Sequence, residues 1–284
     1  MKENIDYKII TAKPEIIDEF KNTFTYLKNK VNPTGALIAV NADNEIIGRV
    51  IYEIKPAPAP LEGVDWFIDN IRVVPELRRT GIGSALLKNL IKSAEESGVG
   101  NFVGSCTNTP AHKFWDKHEF CFLTYNQRID NIDNTEEHGN FPHLLFCRIK
   151  KTSCDKIDSK YAISQVTQNE FDILFEKYKY FHDKKDDFIC LSIAGNYVFA
   201  YEYDMGTPLA GKQLTILHSV NLLSELSVKN IITFAKEKGY KQLTCRNLDN
   251  AAVKFWYEND FNICVHYISY LENGNHPISA AIRL

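Results

Sequence analysis

The sequence predicts an α/β protein built as two successive copies of one domain. Three observations predict it. Strand-like and helix-like segments alternate along the chain, and their order in the first half recurs in the second. A local echo, Ala111-His-Lys-Phe114-Trp115 with Phe120 against Ala252-Val-Lys-Phe255-Trp256 with Phe261, keeps identical spacing. Glycine closes corresponding helices of the two halves, at Gly98 and at Gly239. A repeat this long is not a solenoid unit; it reads as a duplicated domain.

In the first half, 7–11 reads as a strand. A helix is expected over 14–30, with Pro14 in the first turn, where its missing N–H costs little. Residues 35–40 and 45–54 form two β-rich runs around the turn residues 41–44, a hairpin pattern. Residues 55–60 alternate Pro with Lys or Ala, which suits neither a helix nor a central strand. Residues 66–74 return to strand character. The helix over 84–97 is the clearest in the half: Leu86, Leu87, Leu90, Ile91 and Ala94 share a face, and Lys88, Lys92, Glu95 and Glu96 fall largely on the other. Strand 101–107, short helix 110–118, strand 121–129, polar loop 130–140 and strand 144–149 complete the half.

The second half repeats the order at 161–166, 168–181, 188–193, 197–203, 214–220, 225–238, 241–245, 251–258 and 261–270, with Gly195-Asn196 as the hairpin turn. The polar stretch 151–159 marks the boundary. The expected domains are 1–152 and 158–284.

Composition narrows the function classes. The 284 residues carry Lys+Arg 33 against Asp+Glu 36, a net charge of -3. That is no footprint for coating nucleic acid. Apolar residues at 44% supply a full core. No apolar run of membrane-spanning length exists, and the first ten residues hold no apolar core of signal-peptide length. The seven scattered cysteines form no CxxC pair and read as small buried side chains in a reducing cytoplasm, with no metal site expected.

The chemistry lies in Val73-Val-Pro-Glu-Leu-Arg-Arg-Thr-Gly-Ile-Gly83, a strand-to-helix turn with an arginine pair before Gly81 and Gly83. Glycines let a ligand approach the backbone, the first helical turn has unpaired N–H groups, and the helix dipole adds positive charge. A pyrophosphate suits such a cradle. The Walker ending Gly-Lys-Ser/Thr is absent, and position 86 is Leu where a dinucleotide fingerprint needs a third glycine.

This segment resembles motif A of the GCN5-related N-acetyltransferases (GNAT), Arg/Gln-x-x-Gly-x-Gly/Ala, filled by Arg78, Gly81 and Gly83 after Val73 and Pro75. Asn108-Thr-Pro-Ala111 with Phe114, Trp115 and Phe120 resembles motif B. The resemblance covers roughly residues 5–150, and the order of elements extends it more weakly to the rest. It implies two tandem GNAT-type domains, each a mixed, mostly antiparallel sheet flanked by helices. Acetyl-CoA would be the co-substrate, without a metal. The backbone of Arg79, Thr80, Gly81, Ile82, Gly83 and Ser84, with the charge of Arg78, would hold its pyrophosphate. Ile71 and Val73 would meet the pantetheine arm and polarise the thioester carbonyl. Asn108, Phe114 and Trp115 would line the thiol side. Trp115 stands where the family often has a tyrosine acid, and indole is a poor acid.

Glu53 and Asp69 are the candidate bases; His112 and His118 read as surface residues. Glu62, Asp65 and Asp69 beside the proline stretch would favour a cationic acceptor. The acceptor is expected to be a small-molecule or peptide amine, with no nucleic acid or membrane partner. The second half has Asn-Leu-Leu-Ser at 221–224 in place of the glycine turn, so its copy is expected to be degenerate, with a structural or substrate-shaping role. The leading expectation is an N-acetyltransferase; the alternative is a non-catalytic acyl-CoA-binding regulator. Aminoacyl transfer from tRNA fits the charge and the intact cradle poorly.

Overall fold

The computed structural model describes residues 6–23, 34–99, 101–106, 109–124, 143–148, 163–178, 188–204, 212–219, 221–245, 248–265 and 278–284. The chain divides into two compact units, one of residues 1–106 and 144–150, the other of 107–143 and 151–284. The division does not follow chain order: residues 107–143 group with the C-terminal half.

The first unit opens with strand β1 (Tyr7–Thr11) and helix α1 (Pro14–Thr23). The remainder of the expected helix lies outside the described residues. Strands β2 (Gly35–Asn41), β3 (Ile46–Pro56) and β4 (Val64–Val73) follow. β3 runs further than the sequence suggested. Lys55 pairs with Asp65 and Pro56 with Val64, and Pro56 ends the strand, where its missing N–H is tolerated. A 3-10 turn over Pro75–Leu77 leads into α2 (Ile82–Glu96), and β5 (Asn101–Cys106) follows. Next come α3 (Thr109–Lys117) and β6 (Cys121–Thr124), which belong to the other unit, and then β7 (His143–Arg148). Within the first unit the strands lie in the order β1-β2-β3-β4-β5-β7. β1 to β4 are antiparallel neighbours, and β4 runs parallel to β5.

The two faces of this sheet have different covers. Ile16 and Ile17 of α1 pack on Ala36, Ile38, Val40 and Ile51. Helix α2 buries Ile82, Leu86, Leu87, Leu90 and Ala94, the stripe its spacing implied. Each such large side chain contributes about 1.5–3 kcal/mol by leaving water.

The second unit holds β8 (Ile163–Gln165), α4 (Gln168–Tyr178), β9 (Phe188–Ile193), β10 (Asn196–Asp204), β11 (Lys212–Ser219), α5 (Glu225–Glu237), β12 (Gln242–Cys245), α6 (Asn250–Glu258), β13 (Asn262–Val265) and β14 (Ile278–Arg283). The strand order is β8-β9-β10-β11-β12-β14-β13. The last strand, β14, was not expected from sequence; it pairs with both β12 and β13. Residues around α3 and β6 are tied into this unit by specific contacts. Arg283 pairs with Asp116 at 2.6 Å and donates to the Phe120 carbonyl at 3.1 Å. The Asn262 amide donates to Cys121 Sγ at 3.6 Å. Cys121, Cys190, Cys245 and Cys264 are buried in the core. No described helix is long and apolar enough to cross a membrane.

Candidate active site

Strand β4 carries a defect that shapes everything after it. Its register with β3 pairs Ile51 with Asn70 and Tyr52 with Ile68, so Asp69 is an extra, unpaired residue: a β-bulge. On the other side, parallel pairing with β5 runs through Trp66–Phe102, Phe67–Val103 and Ile68–Gly104, and stops there. Both strands continue, β4 to Val73 and β5 to Cys106. Backbone N–H and C=O groups point alternately to the two neighbours of a strand. Beyond Ile68, those of β4 that point toward β5 have lost their ladder, and such groups must be satisfied by something else. Gly104 sits at the last pair; a Cβ there would lie 3.0 Å from the Ile68 carbonyl oxygen.

The strand then turns into α2. The Val74 amide donates to the Ile47 carbonyl at 3.0 Å, and the Leu77 amide to the Val74 carbonyl at 3.0 Å. Arg78 Nε donates to the Val73 carbonyl at 3.3 Å, and the Thr80 hydroxyl to the Leu77 carbonyl at 2.7 Å. Arg79 and Gly81 both have left-handed backbone, with φ of 67 and 103. At Gly81 no atom lies within 4 Å of where a Cβ would stand, so the glycine answers a backbone need and leaves open space. Gly81 is the N-cap of α2 and offers no side-chain cap. The first helical bond runs from the Ala85 amide to the Gly81 carbonyl at 3.0 Å, so the amides of 82–84 precede the helical ladder. Arg78, Arg79, Thr80 and Gly81 are exposed, Ile82 is buried, and Gly83 and Ser84 are half-buried. An uncapped helix N-terminus beside exposed arginines is a fit for a pyrophosphate.

Of the two candidate bases, Glu53 is buried and paired with Lys55. Asp69 lies near it: Glu53, Arg72 and Arg49 all act on its charge. Burial pushes the Asp69 carboxyl up to about 6, Arg72 draws it back, and Glu53 adds to the rise. Its Oδ2 is buried without a hydrogen-bond partner, as is Asn70 Oδ1 beside it. A carboxylate poised near neutrality with an unengaged oxygen can take a proton.

The remaining expected residues lie outside the first unit or outside the described residues. Asn108 lies outside the described residues. Phe114 and Trp115 stand on α3, in the second unit; Trp115 is buried, 4.7 Å from the Phe120 ring by centroids, and Phe114 lies 4.8 Å from His118. Asp65 corrects the sequence reading. It is 0% exposed, so it cannot greet a cationic acceptor from a loop. Burial pushes its carboxyl up to about 7, with Asn101 offsetting part of that. Sequence reasoning overlooked Arg49 and Arg72, which pair across β3 and β4. No group of three or more metal-ligating side chains occurs among the described residues.

Residues 7–120 match the family model described as Acetyltransferase (GNAT) family. This stretch is a GNAT acetyltransferase domain. Among solved structures, the chain resembles the ribosomal-protein-S18-alanine N-acetyltransferase from Escherichia coli, at 15% identity and TM-score 0.38, over 54% of this chain and 99% of that one. It resembles Arabidopsis thaliana NAA60 in complex with acetyl-CoA at 15% identity and TM-score 0.37, over 51% and 99% of the two chains. An acetyltransferase of the GNAT family from Staphylococcus aureus Mu50 matches at 14% identity and TM-score 0.36, over 51% and 100%. No curated protein matches the sequence. The GNAT match ends at Phe120, so the bulge, the parted strands and the uncapped turn all lie within it.

Proposed function

We propose that the GNAT domain transfers an acetyl group from acetyl-CoA to an amine by direct attack while both substrates are bound. The observation that carries the reading is the pairing of two openings on one strand. β4 loses its β5 partner after Ile68, and past its end at Val73 the chain reaches the uncapped turn into α2. An extended pantetheine arm suits the first, and a pyrophosphate suits the second.

Acetyl-CoA supplies an acyl group activated as a thioester. The amides of Arg79 to Ser84, with Arg78, hold the pyrophosphate. Ile71 and Val73 offer backbone groups to the pantetheine arm, and an amide there donates to the thioester oxygen as negative charge develops, with no cost of reorganisation. Asp69 takes the proton of the acceptor ammonium; the amine nitrogen then bonds to the acyl carbon as the carbon–sulfur bond breaks. Glu53, engaged with Lys55, tunes Asp69 rather than acting as the base. The second proton, which the nitrogen sheds after attack, passes through water to the departing thiolate, since Trp115 is buried and its indole is a poor acid.

The domains are assigned as 1–152, catalytic, and 158–284, a degenerate copy. Several features support the second assignment. Its strand order repeats that of the first. Its β10–β11 register pairs Phe199 with His218 and Ala200 with Ile216, leaving Leu217 extra as Asp69 is extra in β4. Among the described residues β11 runs parallel to β12 from Gln213–Gln242 to Ile216–Cys245, as β4 runs parallel to β5. The carboxylate has thus become leucine. The helix that follows is closed: Ser224 Oγ accepts from the Ser227 amide at 3.1 Å. A capped N-terminus without glycines holds no pyrophosphate.

The test is release of CoA thiol from acetyl-CoA across an amine panel, comparing the protein with Asp69→Asn. Turnover reduced by about 100-fold or more in the variant is expected of a lost general base. Equal turnover removes Asp69 from the mechanism, and no turnover with any amine removes the transferase reading.

A further inference from the structure

The transferase reading uses Asp69 at the bulge and gives its neighbour Asn70 no role; on the footing of that reading, Asn70 narrows the acceptor. Asn70 Oδ1 is buried without a hydrogen-bond partner, and so is Asp69 Oδ2, one residue away. Buried acceptors are nearly always paired, so two orphans in succession call for a ligand that donates. Register brings them together. Side chains of a regular strand alternate between faces, which sends neighbours apart. Here Ile68 stands opposite Tyr52 and Asn70 opposite Ile51, two successive residues of β3 that point to opposite faces. Ile51 packs with Ile16 and Ile17 of α1, so Asn70 takes the α1 face and Ile68 the other. Alternation continued from Ile68 turns Asp69 to the α1 face as well. Glu53 and Arg49, each two residues from Ile51 and so on its face, act on the Asp69 charge, in keeping with that placement. The bulge thus turns two consecutive acceptor side chains to one face, where β4 has left β5. Both residues are half-buried, and the last torsion of Asp and Asn is soft, so a small turn presents either oxygen to a ligand.

Counting protons says which ligand suits the pair. A primary ammonium has three N–H bonds. Asp69 takes the first proton, the nitrogen attacks, and two N–H bonds remain on a nitrogen that has become positive. One of these protons is shed through water to the departing thiolate. The other N–H can donate to Asn70 Oδ1, and it stays in the product amide. A charged donor makes a bond roughly twice as strong as a neutral one, so Asn70 helps most as the charge forms. The proton on Asp69 then leaves to solvent, and the products are the amide, CoA thiol and one proton. A secondary ammonium has one N–H fewer, and its last proton cannot both leave and stay on Asn70. A hydroxyl has no proton left once Asp69 has taken it.

We propose that the acceptor is a primary amine, and that Asn70 Oδ1 holds the N–H that survives in the product while Asp69 receives the first proton. Asn70 thereby selects primary amines over secondary amines and alcohols, whose products leave its oxygen buried and unpaired.

The experiment uses the full chain with saturating acetyl-CoA and reads CoA thiol release. The probes are matched sets: glycinamide against sarcosinamide, tyramine against N-methyltyramine, and benzylamine against N-methylbenzylamine and benzyl alcohol. A primary amine that is acetylated should exceed its partners by about tenfold or more in kcat/KM. Asn70→Leu should lower kcat for that probe by about tenfold or more and shrink its preference over the N-methyl partner toward one. A merely structural role would lower both probes alike and leave the preference in place. Asn70→Asp keeps an acceptor oxygen and should keep the preference, while its carboxylate beside Asp69 moves the rise of kcat/KM to higher pH. Acetyl-CoA binding, measured on the same samples, should stay within about twofold, which also shows that the variants fold. The proposal is overturned if N-methyl amines are used as well as their primary partners, if Asn70→Leu keeps the wild-type kcat and preference, or if a protein that binds acetyl-CoA acetylates none of the primary probes. Failure to bind acetyl-CoA at all is a different result: it removes the transferase reading, and this inference with it.

Discussion

Ile68 and Gly104 are the last paired residues of β4 and β5. One residue later Asp69 breaks the register with β3 as well, so a single point on β4 releases the strand on one side and bends it on the other. The glycine matters at that point because the Ile68 carbonyl stands 3.0 Å from where its Cβ would be. Gly104→Val should push the strands apart at the mouth of the opening. We expect a loss of about 1–3 kcal/mol in denaturant unfolding, with acetyl-CoA binding weakened beyond that loss. Unchanged stability and affinity would mean that the close approach is unimportant.

As the proposed base, Asp69 should set a pH limb. A base must be ionised to act, and its carboxyl is raised to about 6, so kcat/KM should rise with pH through about 6 and level off above it. Asp69→Asn should remove that limb from what activity remains. A limb that survives in the variant belongs to another group.

Asp65 sets a different pH dependence, in stability. Its folded value is about 7 against an ordinary 3.8, so between these the folded state binds more protons than the unfolded chain. The stabilisation is fully present below about pH 4 and is lost as pH rises through about 7. Asn101 stands beside the carboxyl, and its own Oδ1 is buried without a partner, which suits a protonated Asp65. Asp65→Asn should flatten the fall in stability from pH 4 to 7, by on the order of 2–4 kcal/mol. Parallel curves for the two proteins would contradict the assignment.

The motif turn was legible in the sequence because its needs are local. Gly81 is required by its own φ of 103, and the α2 stripe follows from helical spacing. The observed helix begins at Ile82, two residues before the expected start, because Gly81 takes the cap position without a polar side chain to announce it. What stayed hidden depends on register between distant strands. Nothing near Asp69 in the chain says that Tyr52 skips it, and nothing near Asp65 says that it is wholly buried. Arg49 and Arg72 are 23 positions apart, and only the ladder makes them neighbours. The unit boundary was hidden for the same reason: Arg283 reaches Asp116 and Phe120 across most of the chain, drawing α3 into the C-terminal unit.

The two helix N-termini carry the account's central claim, that one half holds a working cradle and the other a closed one. Calorimetric titration of acetyl-CoA into the full chain tests it most directly. The account predicts one site per chain, abolished by Gly83→Trp and unaffected by Ser224→Ala, although that variant should lose about 1 kcal/mol of stability with its cap. Two sites, or a single site that survives Gly83→Trp, would place binding in the second half and contradict the account.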